Sequence, residues 1–189
     1  MEKYSDINSL TNKLEKINYL EVEKNKNLAE FASFKVGGPA DLFLVPKKVD
    51  ALQNLMPLII ESKLPYFILG RGSNLIISDK GYRGIIIYTE ALNDYQIENN
   101  IITAECGLQL KEIADLAYQK SLSGFEFAAG IPGSLGGALY MNAGAYGGEM
   151  KDVIVKAQFV NHKGKLIELT KKELNLDYRT SILQEENPD

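Results

Sequence analysis

The sequence has almost none of the side chains that bind transition metals or form disulfides. Cys106 is the only cysteine and His162 the only histidine among 189 residues. A single thiol excludes a disulfide framework and a thiolate metal cluster. A single imidazole argues against zinc sites and against catalytic triads built on histidine. The chemistry of this chain must therefore rest on other groups.

The sequence also lacks long apolar runs and an excess of positive charge. No run approaches membrane-spanning length, and the N-terminal residues 1–6 lack the apolar core of a signal peptide. The formal net charge is −4, so no broad basic field exists to hold a nucleic-acid backbone. We expect a cytoplasmic protein with neither a membrane nor a nucleic-acid partner. The length allows one large domain or two small ones.

Glycine, in contrast, is concentrated in two stretches. The first covers residues 70–74 (Gly-Arg-Gly-Ser-Asn), and the second covers residues 130–138 (Gly-Ile-Pro-Gly-Ser-Leu-Gly-Gly-Ala). Glycines leave backbone N–H groups uncovered, and oriented N–H groups bind phosphate oxygens. Two such stretches indicate a long diphosphate ligand, so we interpret the chain as a dinucleotide binder.

Each stretch also has an interpretation without a ligand. The first lacks the third glycine and the helix of a Rossmann loop, and alone it is typical of a tight turn. The second has four glycines within eight residues, each costing a helix about 1 kcal/mol relative to alanine. A packing turn explains one pair of these glycines, whereas contact with a ligand explains all four. Ser134 is the expected N-cap of the helix that follows.

Hydrophobic periodicity predicts a parallel α/β first half. Apolar spacings of three and four predict helices over about residues 4–20 and 49–60, the second interrupted or kinked at Pro57. Short apolar runs predict strands at residues 41–45, 66–69, 75–77 and 84–88. The strand–helix–strand order with a short return implies parallel pairing.

After Glu90 the pattern becomes that of an antiparallel α+β half. Hairpins are predicted over residues 95–104 and 153–169, and a helix from Leu110 ends at Gly124 as a left-handed cap. Thr170 and Glu173 have the spacing of a capping box for a short final helix.

We place the boundary between two subdomains at about residue 92. An N-terminal helix and lead-in cover residues 1–26, subdomain 1 covers 27–92, and subdomain 2 covers 93–189. The two glycine stretches are expected to face each other across this boundary.

The motifs resemble those of UDP-N-acetylenolpyruvoylglucosamine reductases, in that family's order and over nearly the whole chain after Asn27. The matching segments are residues 34–40, 70–74, 129–137, 141–147 and 178–181. The Pro-Gly-X-X-Gly-Gly portion alone indicates the wider vanillyl-alcohol-oxidase (PCMH-type) superfamily. The resemblance implies a two-subdomain FAD-binding α+β fold of that superfamily, parallel in its first half and antiparallel in its second.

The resemblance also implies an activity. The family's enzymes are FAD-dependent oxidoreductases that use NADPH to reduce a UDP-sugar enolpyruvate for peptidoglycan synthesis, and thereby serve cell shape and division. Arg179 matches the catalytic arginine of the family, and a guanidinium is a permanent, bidentate counter-charge for the carboxylate that gains charge on hydride addition. His162 in a polar turn and Cys106 are poor tethers, so FAD is expected to bind non-covalently. The FAD-binding residues implied by the resemblance are Gly70, Arg71, Gly72, Ser73, Asn74, Leu75, Gly130, Pro132, Gly133, Ser134, Gly136, Gly137, Asn142, Ala143, Gly144 and Tyr146.

The sequence departs from the family in its C-terminal part. Family members continue into a substrate-binding segment that supplies a serine proton donor and a glutamate, and no motif here replaces them. We expect the C-terminal substrate domain to be absent, as in a truncated gene product or half of a split reductase with a separate C-terminal partner. The chain alone is then inactive or very weak. Two functions stay open, the reductase and a non-catalytic FAD-binding fragment; an oxidase of the wider superfamily is disfavoured by the motifs at 142–147 and 178–181.

Overall fold

The computed structural model describes residues 2–184, with side chains from residue 7 onward. The chain divides into two compact units. The first unit consists of the chain up to Ala91 together with Val160–Leu166, and the second consists of Leu92–Phe159 together with the chain from Ile167 onward. Among the described residues, no helix is both long enough and apolar enough to cross a membrane.

The first unit is built on a four-stranded mixed sheet. Its elements are α1 (Glu2–Leu14), β1 (Leu20–Asn27), a 3-10 helix (Leu28–Phe31), β2 (Pro39–Pro46), α2 (Val49–Ser62), β3 (Tyr66–Leu69) and β4 (Tyr82–Tyr88). The strand order is β1–β2–β4–β3. Strands β2, β4 and β3 are parallel, and Phe43 and Phe67 both lie opposite Ile86 of the central strand. The apolar runs therefore predicted parallel strands correctly at 41–45, 66–69 and 84–88. The strand at 66–69 is not buried as predicted, because it lies at the edge of the sheet, where Phe67 and Ile68 are exposed.

Both faces of this sheet are covered, which explains why the central strands are apolar throughout. One face packs on α1 and α2 in an aliphatic cluster that includes Leu14, Leu44, Leu55, Ile59 and Ile87. On the other face, the ring of Phe31 lies 4.6 Å from that of Phe43 and 4.9 Å from that of Tyr88. The 3-10 helix thus covers this face of the sheet close to the first glycine stretch.

The N-terminal segment differs from the prediction. Helix α1 ends at Leu14, and the residues expected to extend it and form a lead-in contain the edge strand β1, antiparallel to β2. The charged composition of β1 (Leu-Glu-Val-Glu-Lys-Asn-Lys-Asn) concealed it. An edge strand with one solvated face needs few apolar residues, and charge protects it from pairing with other chains.

Two further predictions in the first unit were wrong. Residues 75–77 form no strand but belong to the irregular loop between β3 and β4, where Ile76 is 77% exposed. Helix α2 continues through Pro57 without a break. Pro57 has no N–H to donate to the Gln53 carbonyl one turn earlier. Gly164 packs closely against this carbonyl, and a Cβ on Gly164 would lie only 2.2 Å from the Gln53 carbonyl oxygen.

The second unit combines short helices with small two-stranded sheets. Its elements are β5 (Tyr95–Glu98), β6 (Ile101–Ala104), α3 (Leu110–Gln119), a 3-10 helix (Glu126–Ala128), α4 (Leu135–Tyr140), β7 (Gly144–Ala145), β8 (Gly148–Glu149), α5 (Met150–Val153), β9 (Lys156–Val160), β10 (Leu166–Thr170) and a 3-10 helix (Ile182–Gln184). Strands β5 and β6 form the predicted antiparallel hairpin, and β9 pairs with β10 as expected. The core gathers Leu110, Phe127, Ala128, Ala138, Ala143 and Met150.

Two predicted helix ends in this unit were wrong. The left-handed residue that ends α3 is Ser121, at φ +55, and not Gly124. The Leu122 N–H then donates to the Ala117 carbonyl at 2.9 Å and closes the helix. Thr170 and Glu173 do form the reciprocal capping bonds, at 2.9 and 3.4 Å, but only turns follow and no helix.

Candidate cofactor-binding site

The first glycine stretch directly follows β3, and most of its backbone N–H groups have no acceptor within the described chain. The N–H groups of Gly70, Arg71, Gly72 and Ser73 donate to no acceptor in the part of the chain that the structure describes. Gly72 has φ +66, and a Cβ there would lie 2.0 Å from the Phe31 carbonyl oxygen. Only glycine fits at this position, so the loop is held against residues 31–33 while its N–H groups remain available.

A charged network lies beside this loop. Arg71 Nη1 is 3.3 Å from Glu90 Oε1, and the Tyr88 hydroxyl donates to Glu90 Oε2. Burial, followed by the neighbouring Glu90 carboxylate, raises the pKa of Tyr88 far above its usual range, so the hydroxyl stays protonated. Because Glu90 offsets the charge of Arg71, the capacity of the loop to bind an anion rests on its N–H groups.

Sequence reasoning missed Tyr88 and Glu90, although a signal was present. Strands β3 and β4 are parallel neighbours, so the residues that follow them meet at one edge of the sheet. Arg71 comes two residues after β3, and Glu90 comes two residues after β4.

The second glycine stretch is part loop and part helix. Gly130, Gly133 and Ser134 lie before α4, and Gly137 lies within it. The N–H groups of these four residues have no acceptor among the described residues. Ser134 occupies the expected N-cap position, but its side chain makes no capping hydrogen bond. Pro132 is exposed between these donors.

The glycines of this stretch differ in what surrounds them. A Cβ on Gly130 would meet nothing within 4 Å, and one on Gly137 would meet only Ser134 Oγ at 3.5 Å. A Cβ on Gly136 would lie 2.8 Å from Cys106 Cβ, and the Gly136 N–H donates to the Cys106 carbonyl at 2.8 Å. Gly136 therefore serves packing within the second unit, whereas Gly130 and Gly137 leave open space.

The Asn-Ala-Gly-Ala-Tyr motif builds a small hairpin. Gly144–Ala145 pairs with Gly148–Glu149, and the two residues between them, Tyr146 and Gly147, have φ +53 and +86. Two successive positive φ angles define a type I′ turn, in which asparagine or glycine is usual. Tyr146 is 97% exposed at its tip. Ala143 instead contributes its side chain to the core.

Arg179 lies in a tight turn of the second unit. Asp177 and Thr180 exchange backbone hydrogen bonds of 3.3 and 3.1 Å around Tyr178 and Arg179. Arg179 has φ +56, and its Nη2 donates to the Gly144 carbonyl at 3.2 Å. Within the described residues no carboxylate pairs with it, so its positive charge is available to an anionic ligand.

The single histidine and the single cysteine each contact another residue of their own unit. His162 Nε2 lies 3.1 Å from the Tyr66 hydroxyl, so it is half-buried rather than fully solvated as a polar turn would suggest. Cys106 is half-buried against Gly136. The described residues contain no group of three or more side chains suited to a metal ion.

Backbone N–H groups without acceptors in the glycine segments of an α+β fold are typical of proteins that bind nucleotide cofactors. Comparison with known proteins agrees with this class. The chain belongs to the FAD binding domain family, which it matches over residues 40–170. The fold is shared with p-cresol methylhydroxylase, at a TM-score of 0.64 and 16% identity over 87% of this chain and 35% of that enzyme. The predicted α+β superfamily fold is confirmed.

The sequence also resembles the reductases that the motifs indicated. The chain is 46% identical over 159 residues to UDP-N-acetylenolpyruvoylglucosamine reductase of Alkaliphilus metalliredigens, covering 84% of this chain and 52% of that protein. The crystal structure of the corresponding reductase from Thermus caldophilus matches with a TM-score of 0.72 and 30% identity, over 86% of this chain and 57% of that chain. The chain therefore spans about half the length of the relatives it matches.

Proposed function

We propose that this chain binds FAD non-covalently through the open N–H groups of residues 70–73 and of Gly130, Gly133, Ser134 and Gly137. The observation that carries the proposal is that these eight backbone donors have no acceptor among the described residues. Diphosphate oxygens are suitable acceptors for grouped N–H donors. The open space beside Gly130 and Gly137 leaves room for close approach of a ligand. The proposal includes Asn74, Leu75, Pro132 and Tyr146 as further FAD contacts.

We further propose that the chain is the FAD-binding part of a reductase that converts UDP-N-acetylglucosamine enolpyruvate to UDP-N-acetylmuramate with NADPH. FAD, when bound, supplies the hydride-transfer chemistry of this reaction. Arg179 supplies a fixed positive charge for the substrate carboxyl group, where negative charge develops. Its freedom from any ion pair within the described residues supports this role. The uridine and sugar contacts and the proton donor then come from a C-terminal segment in cis or in trans.

Titration of the purified chain with FAD tests the binding proposal. We expect saturable binding at one FAD per chain, and complete release of the flavin by acid or denaturant. Non-covalent binding follows because His162 contacts Tyr66 and Cys106 packs on Gly136. Flavin that stays with the unfolded chain would refute the non-covalent mode, and a chain that ignores added FAD would refute the proposal itself.

Substitutions at two neighbouring glycines, Gly136 and Gly137, distinguish an effect on FAD binding from an effect on folding stability. We expect Gly137→Ala to weaken FAD binding about tenfold, equivalent to the loss of one charge-assisted hydrogen bond, because the new methyl group occupies the open space beside the helix and keeps the diphosphate away from the N–H groups. Its folding stability should stay equal or rise by up to about 1 kcal/mol, since alanine favours a helix.

The matched control is Gly136→Ala, one residue away in the same helix. Its Cβ would lie 2.8 Å from Cys106 Cβ, and such overpacking costs about 1–3 kcal/mol. Thermal unfolding and flavin-fluorescence titration of both variants measure the two effects. If Gly137→Ala binds FAD as the original chain does, the second glycine stretch is only a packing turn.

A further inference from the structure

Asn142 lies at the centre of the contacts around Arg179. Its side chain is only 2% exposed, and its φ of +42 is a left-handed conformation that asparagine tolerates better than most residues. Nδ2 donates to Glu149 Oε2 at 2.6 Å and to the Asp177 carbonyl oxygen at 3.0 Å. Oδ1 accepts the Lys151 N–H at 2.8 Å. Both hydrogens of this amide are therefore used inside the second unit.

The bond to Asp177 connects Asn142 to the turn that carries Arg179. Asp177 and Thr180 close that turn through their backbone bonds. A second attachment runs from Arg179 Nη2 to the Gly144 carbonyl, two residues beyond Asn142. The turn is thus fastened at its first carbonyl and at its guanidinium to one short segment, 35 residues away in sequence.

The Glu149 carboxylate next to Asn142 already binds Lys151 and Asn142, so it does not pair with Arg179. Glu149 Oε1 lies 2.5 Å from Lys151 Nζ, while Oε2 accepts the Asn142 amide. The Glu149 carboxylate raises the pKa of Lys151, which keeps the pair ionised. Asn142 therefore separates Glu149 from the turn, and the charge of Arg179 is left for a ligand.

We propose that Asn142 is a positioning residue for Arg179, acting through the Asp177 carbonyl, and not an FAD ligand. The importance of Asn142 for activity rests on the role proposed above for Arg179. The positioning of Arg179 by Asn142 can be tested in this chain without any activity. Removing the amide leaves the Asp177 carbonyl with the Thr180 N–H as its one remaining donor among the described residues. The turn then loses its attachment to Asn142 and keeps those from Arg179 Nη2 to the Gly144 carbonyl and from Gln184 Nε2 to the Arg179 carbonyl, so Arg179 is held less firmly.

The chain is suited to a direct test because it contains only three arginines, Arg71, Arg83 and Arg179. The ¹⁵N NMR signals of their side-chain Nε–H groups are few, and arginine-to-lysine variants assign them. We expect Asn142→Ala to lower the ¹⁵N–¹H heteronuclear NOE of Arg179 Nε and to leave Arg71 and Arg83 unchanged. The Thr180 amide, which donates to Asp177, should exchange with solvent about tenfold faster, a loss of about 1.4 kcal/mol of local stability.

Asn161→Ala is the matched control. Asn161 is also buried, and its Oδ1 accepts the N–H groups of Lys163 and Lys165 in a turn of the first unit. This variant should lose stability without changing Arg179 or Thr180. Asn142→Asp is the second variant, since it keeps the acceptor for the Lys151 N–H and removes both donations. The Gly136 amide, bonded to Cys106, reports whether the second unit stays folded.

FAD titration of the same variants separates this proposal from the proposed function. Asn142→Ala should change FAD affinity less than about twofold, because neither amide hydrogen is available to the cofactor. Unchanged Arg179 and Thr180 signals in a folded Asn142→Asp or Asn142→Ala chain would overturn the positioning role, and so would a large loss of FAD affinity with unchanged signals. Failure of the original chain to bind FAD would refute the proposed function and leave the NMR result interpretable.

Discussion

Arg179→Ala should lower turnover by about a hundredfold to a thousandfold once the chain is joined to the C-terminal part of the Thermus caldophilus reductase. Hydride addition to the enolpyruvyl alkene concentrates negative charge at the adjoining carboxyl group. A guanidinium fixed beside that group stabilises the transition state more than the ground state, and only such differential binding accelerates the reaction. The measurement is NADPH oxidation that depends on UDP-N-acetylglucosamine enolpyruvate.

The structure supports this prediction through the backbone of Arg179. Its φ of +56 is uncommon for a residue other than glycine, asparagine or aspartate, and such strain costs about 1–3 kcal/mol. Residues held in this way occur often at functional sites. Arg179→Lys keeps the charge but loses the bidentate fork, so its turnover should lie between those of the original and the alanine variant. FAD affinity serves as the control and should not change.

A turnover of Arg179→Ala within about threefold of the original would remove the arginine from the mechanism, because one oriented charge is worth far more than that factor. The same assay on the chain alone should show little or no NADPH oxidation. A positioned proton donor is worth about a hundredfold to ten-thousandfold in rate, and no motif of this sequence supplies one. Robust turnover by the chain alone would show that other residues complete the site.

The sequence predicted the parts of the fold that depend on local pattern. Strands β2 and β4 are buried, continuous apolar runs, and such runs occur where both faces of a sheet are covered. Strand β3 has the same apolar pattern but lies at the edge of the sheet with Phe67 and Ile68 exposed. Strand β1 escaped detection because its pairing with β2 is non-local and its own residues are mostly charged. The capping bonds of Thr170 and Glu173 formed without a helix, since Asn175 adopts a left-handed φ of +46 and the chain leaves the helical path there.

The sequence predicted which residues form the candidate site, but it did not predict what each of them contacts. Glycine density marked residues 130–137, yet only the fold shows that Gly136 packs on Cys106 while Gly137 is open. The resemblance placed Asn142 among the FAD ligands, and its bond to Asp177 depends on a contact between residues 35 positions apart. Periodicity and spacing contain no information on such contacts, because they arise from tertiary packing.

The claim that open backbone donors bind the diphosphate of FAD can be tested by removing the phosphates from the ligand. Riboflavin has the isoalloxazine ring of FAD but neither phosphates nor adenosine. Two charge-assisted hydrogen bonds to phosphate are worth about 3 kcal/mol or more together, which corresponds to at least a hundredfold in affinity. ADP should compete with FAD for the chain, and adenosine, which lacks the diphosphate, should compete far less.

The most direct measurement is therefore a parallel equilibrium titration of the purified chain with FAD and with riboflavin, followed by flavin fluorescence. The N–H groups of residues 70–73 and of Gly130, Gly133, Ser134 and Gly137 donate to no acceptor in the described chain. If they hold the diphosphate, FAD binds at least about a hundredfold more tightly than riboflavin. Riboflavin binding within about threefold of FAD would contradict the account, because the phosphates would then contribute almost nothing.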